Sequence, residues 1–241
     1  MHKLALITGG SKGLGKSLVE QYLNEDWTVR EFSRSGDSQH HIDCDFASPS
    51  GSAAVIEQAF KSLVSNDWTE VILINNVGTI NPVGPINMDD PGQWQVNIQI
   101  NLNSCILSTG LFLKHFSGVG CSKQIANISS GAASNAFHGW SLYCAAKAGL
   151  EMFSQCVALE QSKQDNPVGI FCIRPGVIDT DMQQQIRNQD KDRFDAIDDF
   201  TALKSEDQLR TPDSVATLVR AMLDSRPQSG EVLNVSTWLE G

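Results

Sequence analysis

Tyr143 and Lys147 stand four residues apart in Tyr143-Cys144-Ala145-Ala146-Lys147, a spacing that puts both side chains on one helical face, one turn apart. A phenol can hand a proton to a developing alkoxide, but its free pKa of about 10 is poorly matched to neutral pH. A cation one turn away favours the phenolate and lowers that value. Ser130 lies 13 residues before Tyr143, after the run Ile125-Ala126-Asn127-Ile128-Ser129, and offers a hydroxyl to a carbonyl oxygen; its neighbour Ser129 is the alternative. Asn101 sits in the helical pattern before that run. Taken singly, each has a plain reading: an interfacial tyrosine, a surface lysine, a turn serine, a polar helix residue.

A second chemical signal opens the chain. The apolar run Leu4–Thr8 leads into Thr8-Gly9-Gly10-Ser11-Lys12-Gly13-Leu14-Gly15 and then a helical pattern. Glycines there permit a tight turn and a close backbone approach to a pyrophosphate, and the following helix N-terminus presents free N–H groups to the anion. Gly10–Ser17 also reads formally as G-x-x-x-x-G-K-S, a triphosphate loop. Such a loop needs a magnesium-binding aspartate at the end of a later strand, and the run Val71–Ile74 ends in Asn75-Asn76 instead, so a dinucleotide is the expected ligand.

Positioning these residues takes a framework. Candidate strands are Leu4–Thr8, Thr28–Ser33, His41–Asp45, Glu70–Asn75, Gln124–Ser129, Val168–Ile173 and Glu231–Val235, with helical patterns between most of them. Ile98–Phe116 and Leu142–Gln161 are the longer helices, and Leu14, Leu18 and Tyr22 mark one face of a shorter one. Alternation of strand and helix predicts an α/β fold: one Rossmann-like, doubly wound parallel sheet of about seven strands with helices on both faces, spanning 1–241 as a single domain. The segment 179–210, rich in Gln and Asp with isolated Met182, Ile186, Phe194 and Phe200, is expected to be a flap over the site.

Composition narrows the function. With 18 basic and 28 acidic residues the net charge is −10, which repels a phosphate backbone and argues against nucleic-acid binding. The longest apolar run is the five residues Leu142–Ala146, far short of the roughly 20 a bilayer requires, so no membrane partner is expected. Leu4–Ile7 is too short for a signal-peptide core of roughly 7–15 residues. The six cysteines, at 44, 105, 121, 144, 156 and 172, form no C-x-x-C pair and read as reduced, mostly buried thiols of a cytoplasmic protein. The five histidines show no ligand spacing, so no metal is expected, and His40-His41 reads as a solvated approach to a strand.

In order along the chain, the glycine loop, Asn75-Asn76-Val77-Gly78, Asn101, Ser130, Tyr143-x-x-x-Lys147 and Arg174-Pro175-Gly176-Val177-Ile178-Asp179-Thr180 resemble the short-chain dehydrogenase/reductase family, over nearly the whole length from Lys3 to about Val235. The resemblance implies that Tyr143 protonates the carbonyl oxygen as hydride arrives. It gives Lys147 a hold on the nicotinamide ribose, Ser130 a hydrogen bond to the substrate carbonyl, and the backbone of Asn101 a proton-relay water. The same resemblance assigns cofactor contacts to Gly9, Ser11, Lys12, Gly13, Leu14, Gly15, Ser33, Arg34, Asp45, Phe46, Asn76, Val77, Gly78, Tyr143, Lys147, Pro175, Gly176, Ile178, Thr180 and Met182. Val77 departs from the family's usual alanine and adds bulk beside the expected ribose. Where an NAD enzyme would place an acidic residue at the end of the second strand, the chain has neutral Ser33 followed by Arg34, with Lys12 in the glycine loop; both cations suit a 2′-phosphate, so NADP(H) is the expected cofactor.

Gly139–Lys147, Val157–Glu160 and Asp179–Gln184 look most like the branch holding sepiapterin reductase and bacterial reductases of benzil and other 1,2-diketones. The pterin-anchoring aspartate of that branch falls at Thr237, which moves the expected substrate toward a ketone or vicinal dicarbonyl. Phe137, Trp140, Met182, Phe194 and Phe200 are the expected pocket wall, with Ser130, Tyr143 and Gly176 also facing substrate. The alternatives are a 3-oxoacyl thioester reductase and, more remotely, a non-catalytic NADP sensor. The two long helices match the family's subunit-interface helices, so a homodimer or homotetramer is expected.

Overall fold

The computed structural model describes residues 2–238. Seven strands form one parallel sheet in the order β3-β2-β1-β4-β5-β6-β7: β1 His2–Thr8, β2 Thr28–Ser33, β3 His41–Asp43, β4 Trp68–Asn75, β5 Ser122–Ile128, β6 Gly169–Arg174 and β7 Val232–Asn234. The helices are α1 Gly13–Asn24, α2 Pro49–Leu63, α3 Pro91–Ile98, α4 Ser104–Phe116, α5 Ser141–Gln161, α6 Asp181–Arg187, α7 Ile197–Ser205, α8 Pro212–Asp224 and α9 Val235–Trp238. The strands match the expected ones to within two residues at each end. At β5 the ladder outlasts the strand, because the Ser129 amide still donates to Ile173 O at 2.8 Å.

The central strands are apolar on both faces, as a parallel sheet covered by helices requires. Ala5, Ile7, Ile72, Ile74 and Ile173 face α1 and α8, where Leu18, Val215, Val219 and Met222 complete one core. Leu4, Leu6, Val71, Leu73 and Ile125 face the other side, against Ile56 and Phe60 of α2, Phe112 and Phe116 of α4 and Val157 of α5. Thr211 caps α8 by accepting from the Ser214 amide at 3.2 Å, with Pro212 preset for the first turn. Tyr22 packs edge-on against Trp27 at 4.9 Å, as helix packing predicts.

The helix expected over 98–116 differs. It begins earlier, as α3, and passes through a π turn at Gln99–Asn103 before continuing as α4. A π turn widens the helix and leaves backbone groups out of the regular ladder, a device common at functional positions. Asn101 lies inside it.

Candidate active site

Because every strand runs the same way, the C-terminal ends of β1, β4, β5 and β6 gather Gly9, Asn76, Ser130 and Pro175 along one edge. The sheet order reverses between β1 and β4, the place where such sheets bind ligands. Gly9 and Gly13 turn the loop through positive φ of 69° and 53°. Gly15 must lack a side chain, since a Cβ there would sit 2.1 Å from Gly9 O. The Thr8 hydroxyl accepts from the amides of Asn76 and Val77 at 3.0 and 3.2 Å, and Asn76 Nδ2 donates to Gly9 O at 3.0 Å, pinning the β4 loop to the glycine loop. Helix α1 begins with no side-chain cap and no acidic residue in its first turn, so its N-terminal amides suit an anion such as a pyrophosphate.

Tyr143 and Lys147 share the buried face of α5. Tyr143 is 8% exposed and Lys147 3%, with the Lys147 ammonium 5.7 Å from the Tyr143 ring centre. Lys147 Nζ spends one hydrogen bond on Ile128 O, at 2.7 Å, which ties α5 to the end of β5. The Ser130 hydroxyl caps the 3₁₀ turn Gly131–Ala133 by accepting from the Ala132 amide at 3.2 Å. Ser129 does not compete for that position: it is 2% exposed, and its hydroxyl donates to Glu151 Oε1 at 2.7 Å. Asn101 is fully buried; it accepts from the Thr79 amide at 2.9 Å and donates to Thr79 O at 2.8 Å. Its side chain therefore fixes the chain just after Gly78.

Residues of 179–210 stand over this edge. Ile186, Phe194 and Ile197 form a third apolar cluster with Ile80, Val83, Trp140 and Tyr143, and Phe137, Met182 and Phe200 pack against it. Arg193 ties the segment to the β4 loop, donating to Val83 O at 2.8 Å and to Asp89 at 2.5 Å. Thr180 caps α6 by accepting from the Gln183 amide. Asp179 is held by Lys204 at 2.6 Å, while Ile178 bridges to Arg210.

The other expected site residues differ in their surroundings. Phe194 is not a pocket wall: it is wholly buried, stacked on Trp140 at 4.5 Å. Phe46 buries its ring in the core under β2 and presents its carbonyl to Gln99 Nε2 at 3.3 Å, and Asp45 accepts from the Ala47 amide at 3.0 Å. Val77 packs against that same core. Lys12 pairs with Asp181 of α6 at 3.3 Å, both largely exposed, whereas Ser33 is buried and Arg34 exposed. Ser11, Leu14, Gly176 and Pro175 lie along the same edge. His41 is not solvated; its Nδ1 meets Glu31 Oε1 at 2.5 Å, and Glu31 is 3% exposed.

Sequence reasoning missed Glu31, Thr79 and the pairing of Glu151 with Arg174. Glu31 had one visible signal, a carboxylate inside an otherwise sheet-forming run. All six cysteines are free, three of them buried; burial pushes the Cys44 and Cys172 thiols up to about 12, which leaves them unreactive. Among the described residues there is no His, Cys, Asp and Glu cluster suited to a metal ion, and no helix is long and apolar enough to cross a membrane.

A model of the short chain dehydrogenase family matches residues 3–191. A benzil reductase ((S)-benzoin forming) of Bacillus cereus is 38% identical over 247 residues, covering 97% of this chain and 99% of its own. A sepiapterin reductase of Meriones unguiculatus is 30% identical over 228 residues, covering 86% and 85%. The crystal structure of the KRED1-Pglu enzyme superposes with a TM-score of 0.82 at 27% identity, over 96% of this chain and all of the other. The chain therefore belongs to the short-chain dehydrogenase family and is an oxidoreductase acting on carbonyl or hydroxyl groups.

Proposed function

We propose that this protein is an NADPH-dependent reductase of vicinal dicarbonyls, with Tyr143 as proton donor. The observation that carries the reading is the state of three side chains on one edge. The Tyr143 hydroxyl has no hydrogen-bond partner among the described residues. Ser130 accepts from Ala132 and keeps its own proton free to donate. Lys147 has one N–H engaged and two to spare. A carbonyl oxygen set between Ser130 and Tyr143 would receive a hydrogen bond from the first and a proton from the second. Lys147, on the same helical face, would favour the phenolate left behind. The π turn at Asn101 would offer a backbone carbonyl to a water that returns the proton to Tyr143.

The glycine loop and the uncapped start of α1 would hold the pyrophosphate, and Lys147 the nicotinamide ribose. Reduced nicotinamide, when bound, supplies the hydride. Arg34, exposed just past the neutral Ser33, would meet the 2′-phosphate. Lys12 would reach it on leaving Asp181. Arg34→Asp is expected to reverse the preference, because repulsion replaces attraction at that phosphate. Steady-state kinetics with NADPH and NADH check this; an NADH preference already in the unmodified protein would contradict it.

The apolar surroundings of Tyr143 support an aryl or alkyl diketone over a polar pterin. Thr237, where a pterin anchor would stand, has a neutral side chain whose hydroxyl donates to Asn234 O at 3.2 Å. The test of substrate class is a comparison of benzil, sepiapterin and an acetoacetyl thioester with NADPH.

The segment 179–210 would serve as the flap over that substrate. Met152 and Leu159 on α5 and Ile106 on α4 are large apolar side chains left exposed, which supports subunit association through these helices. Light scattering should give a mass two or four times 26.3 kDa. A monomer mass at micromolar concentration would contradict it.

A further inference from the structure

Glu151 sits on α5 one turn beyond Lys147, 8% exposed, and holds three donors. Arg174, the last residue of β6, reaches it as a fork, Nε to Oε1 at 2.8 Å and Nη2 to Oε2 at 2.7 Å. Ser129 adds the third donor, at 2.7 Å to Oε1. The remaining arm of the guanidinium, Nη1, donates to Ser134 Oγ at 3.1 Å. Ser129 precedes Ser130, and Ser134 ends the 3₁₀ turn that Ser130 starts. One ion pair thus grips both ends of the segment carrying Ser130, and it is anchored on the helix carrying Tyr143 and Lys147.

We propose that Glu151 and Arg174 are positioning residues, which set the Ser130 hydroxyl at the separation from Tyr143 that a carbonyl oxygen needs. The inference rests on the reading that both hydroxyls address that oxygen. A bidentate guanidinium–carboxylate pair fixes direction as well as distance, which a lysine or an apolar contact does not. The pair is part-buried, the Arg174 side chain 23% exposed and that of Glu151 11%, and such ion pairs give little net stability, so stability alone does not account for it. Fixing groups to well under an ångström, by contrast, is worth large factors in rate.

The test removes both charges together, because removing Arg174 alone would leave the buried Glu151 carboxylate without its cation. Glu151→Gln with Arg174→Leu keeps an acceptor for Ser129 and leaves no buried charge. The expected result is an unchanged thermal midpoint, NADPH affinity within about threefold of wild type, and kcat lower by about 10- to 100-fold. In a Ser130→Ala background the same pair of changes should cost less than about threefold, because the group being positioned is already absent. Should the double variant not fold, Arg174→Lys, which keeps the charge but loses the fork, carries the same comparison. A loss of equal size in both backgrounds, or no loss of kcat, would overturn the proposal. Wild-type turnover, measured alongside, reports on the reductase reading by itself.

Discussion

Tyr143→Phe is expected to lower kcat for carbonyl reduction by about 100-fold or more while leaving the fold and NADPH binding in place. The ring is the structural part of this side chain. It packs edge-on against Trp140 with centres 5.6 Å apart and lies in the apolar cluster beneath 179–210. Phenylalanine keeps those contacts. The hydroxyl is the chemical part, and its removal strands no protein partner among the described residues. Thermal midpoint and NADPH fluorescence titration should therefore match wild type, with the loss confined to single-turnover reduction. Near wild-type turnover would remove Tyr143 from the chemistry.

Lys147→Met should do more. The ammonium is buried, donates to Ile128 O and stands 5.7 Å from the Tyr143 ring. Methionine approximates its length but takes away the charge beside the phenol, the anchor to β5 and the donors proposed for the ribose. Reduction should fall by at least the Tyr143→Phe factor, and NADPH affinity should weaken by about tenfold or more, the scale of a lost charged hydrogen bond. The lost Ile128 contact should also lower the thermal midpoint slightly. Unchanged NADPH affinity would show that the lysine serves the tyrosine alone. The contrast between the two variants, one silent in binding and one not, separates proton delivery from cofactor placement.

What was legible in the sequence was what is local. Strand β1, the glycine loop and α1 follow each other without a gap, and their apolar periods and glycines are read directly. Tyr143 and Lys147 are legible for the same reason, being one helical turn apart. The 13-residue offset favours Ser130 over Ser129, and the Ser129 hydroxyl is committed to Glu151. The π turn was not legible, because a pattern of apolar residues does not distinguish it from continuous helix, and Asn101 within it bonds to Thr79, 22 residues away. Glu151 and Arg174 were invisible as a pair for a like reason. They stand 23 residues apart, on α5 and at the end of β6, beyond the reach of any local pattern, and an acid on a long helix reads as solvated. Phe194 misled because an isolated aromatic in a polar stretch looks like a pocket wall, whereas here it is the nail that fastens the stretch to Trp140. His41 misled in the opposite direction, its buried partner Glu31 lying ten residues earlier on the neighbouring strand.

The edge bearing Ser130, Tyr143 and Lys147 is proposed to reduce vicinal dicarbonyls with NADPH. The most direct measurement is the oxidation of NADPH at 340 nm by the unmodified protein with benzil, sepiapterin and an acetoacetyl thioester in parallel. The highest kcat/KM is expected for benzil, with lower rates for NADH than for NADPH. Preferred turnover of the thioester, or no diketone reduction by folded, NADPH-binding protein, would contradict it.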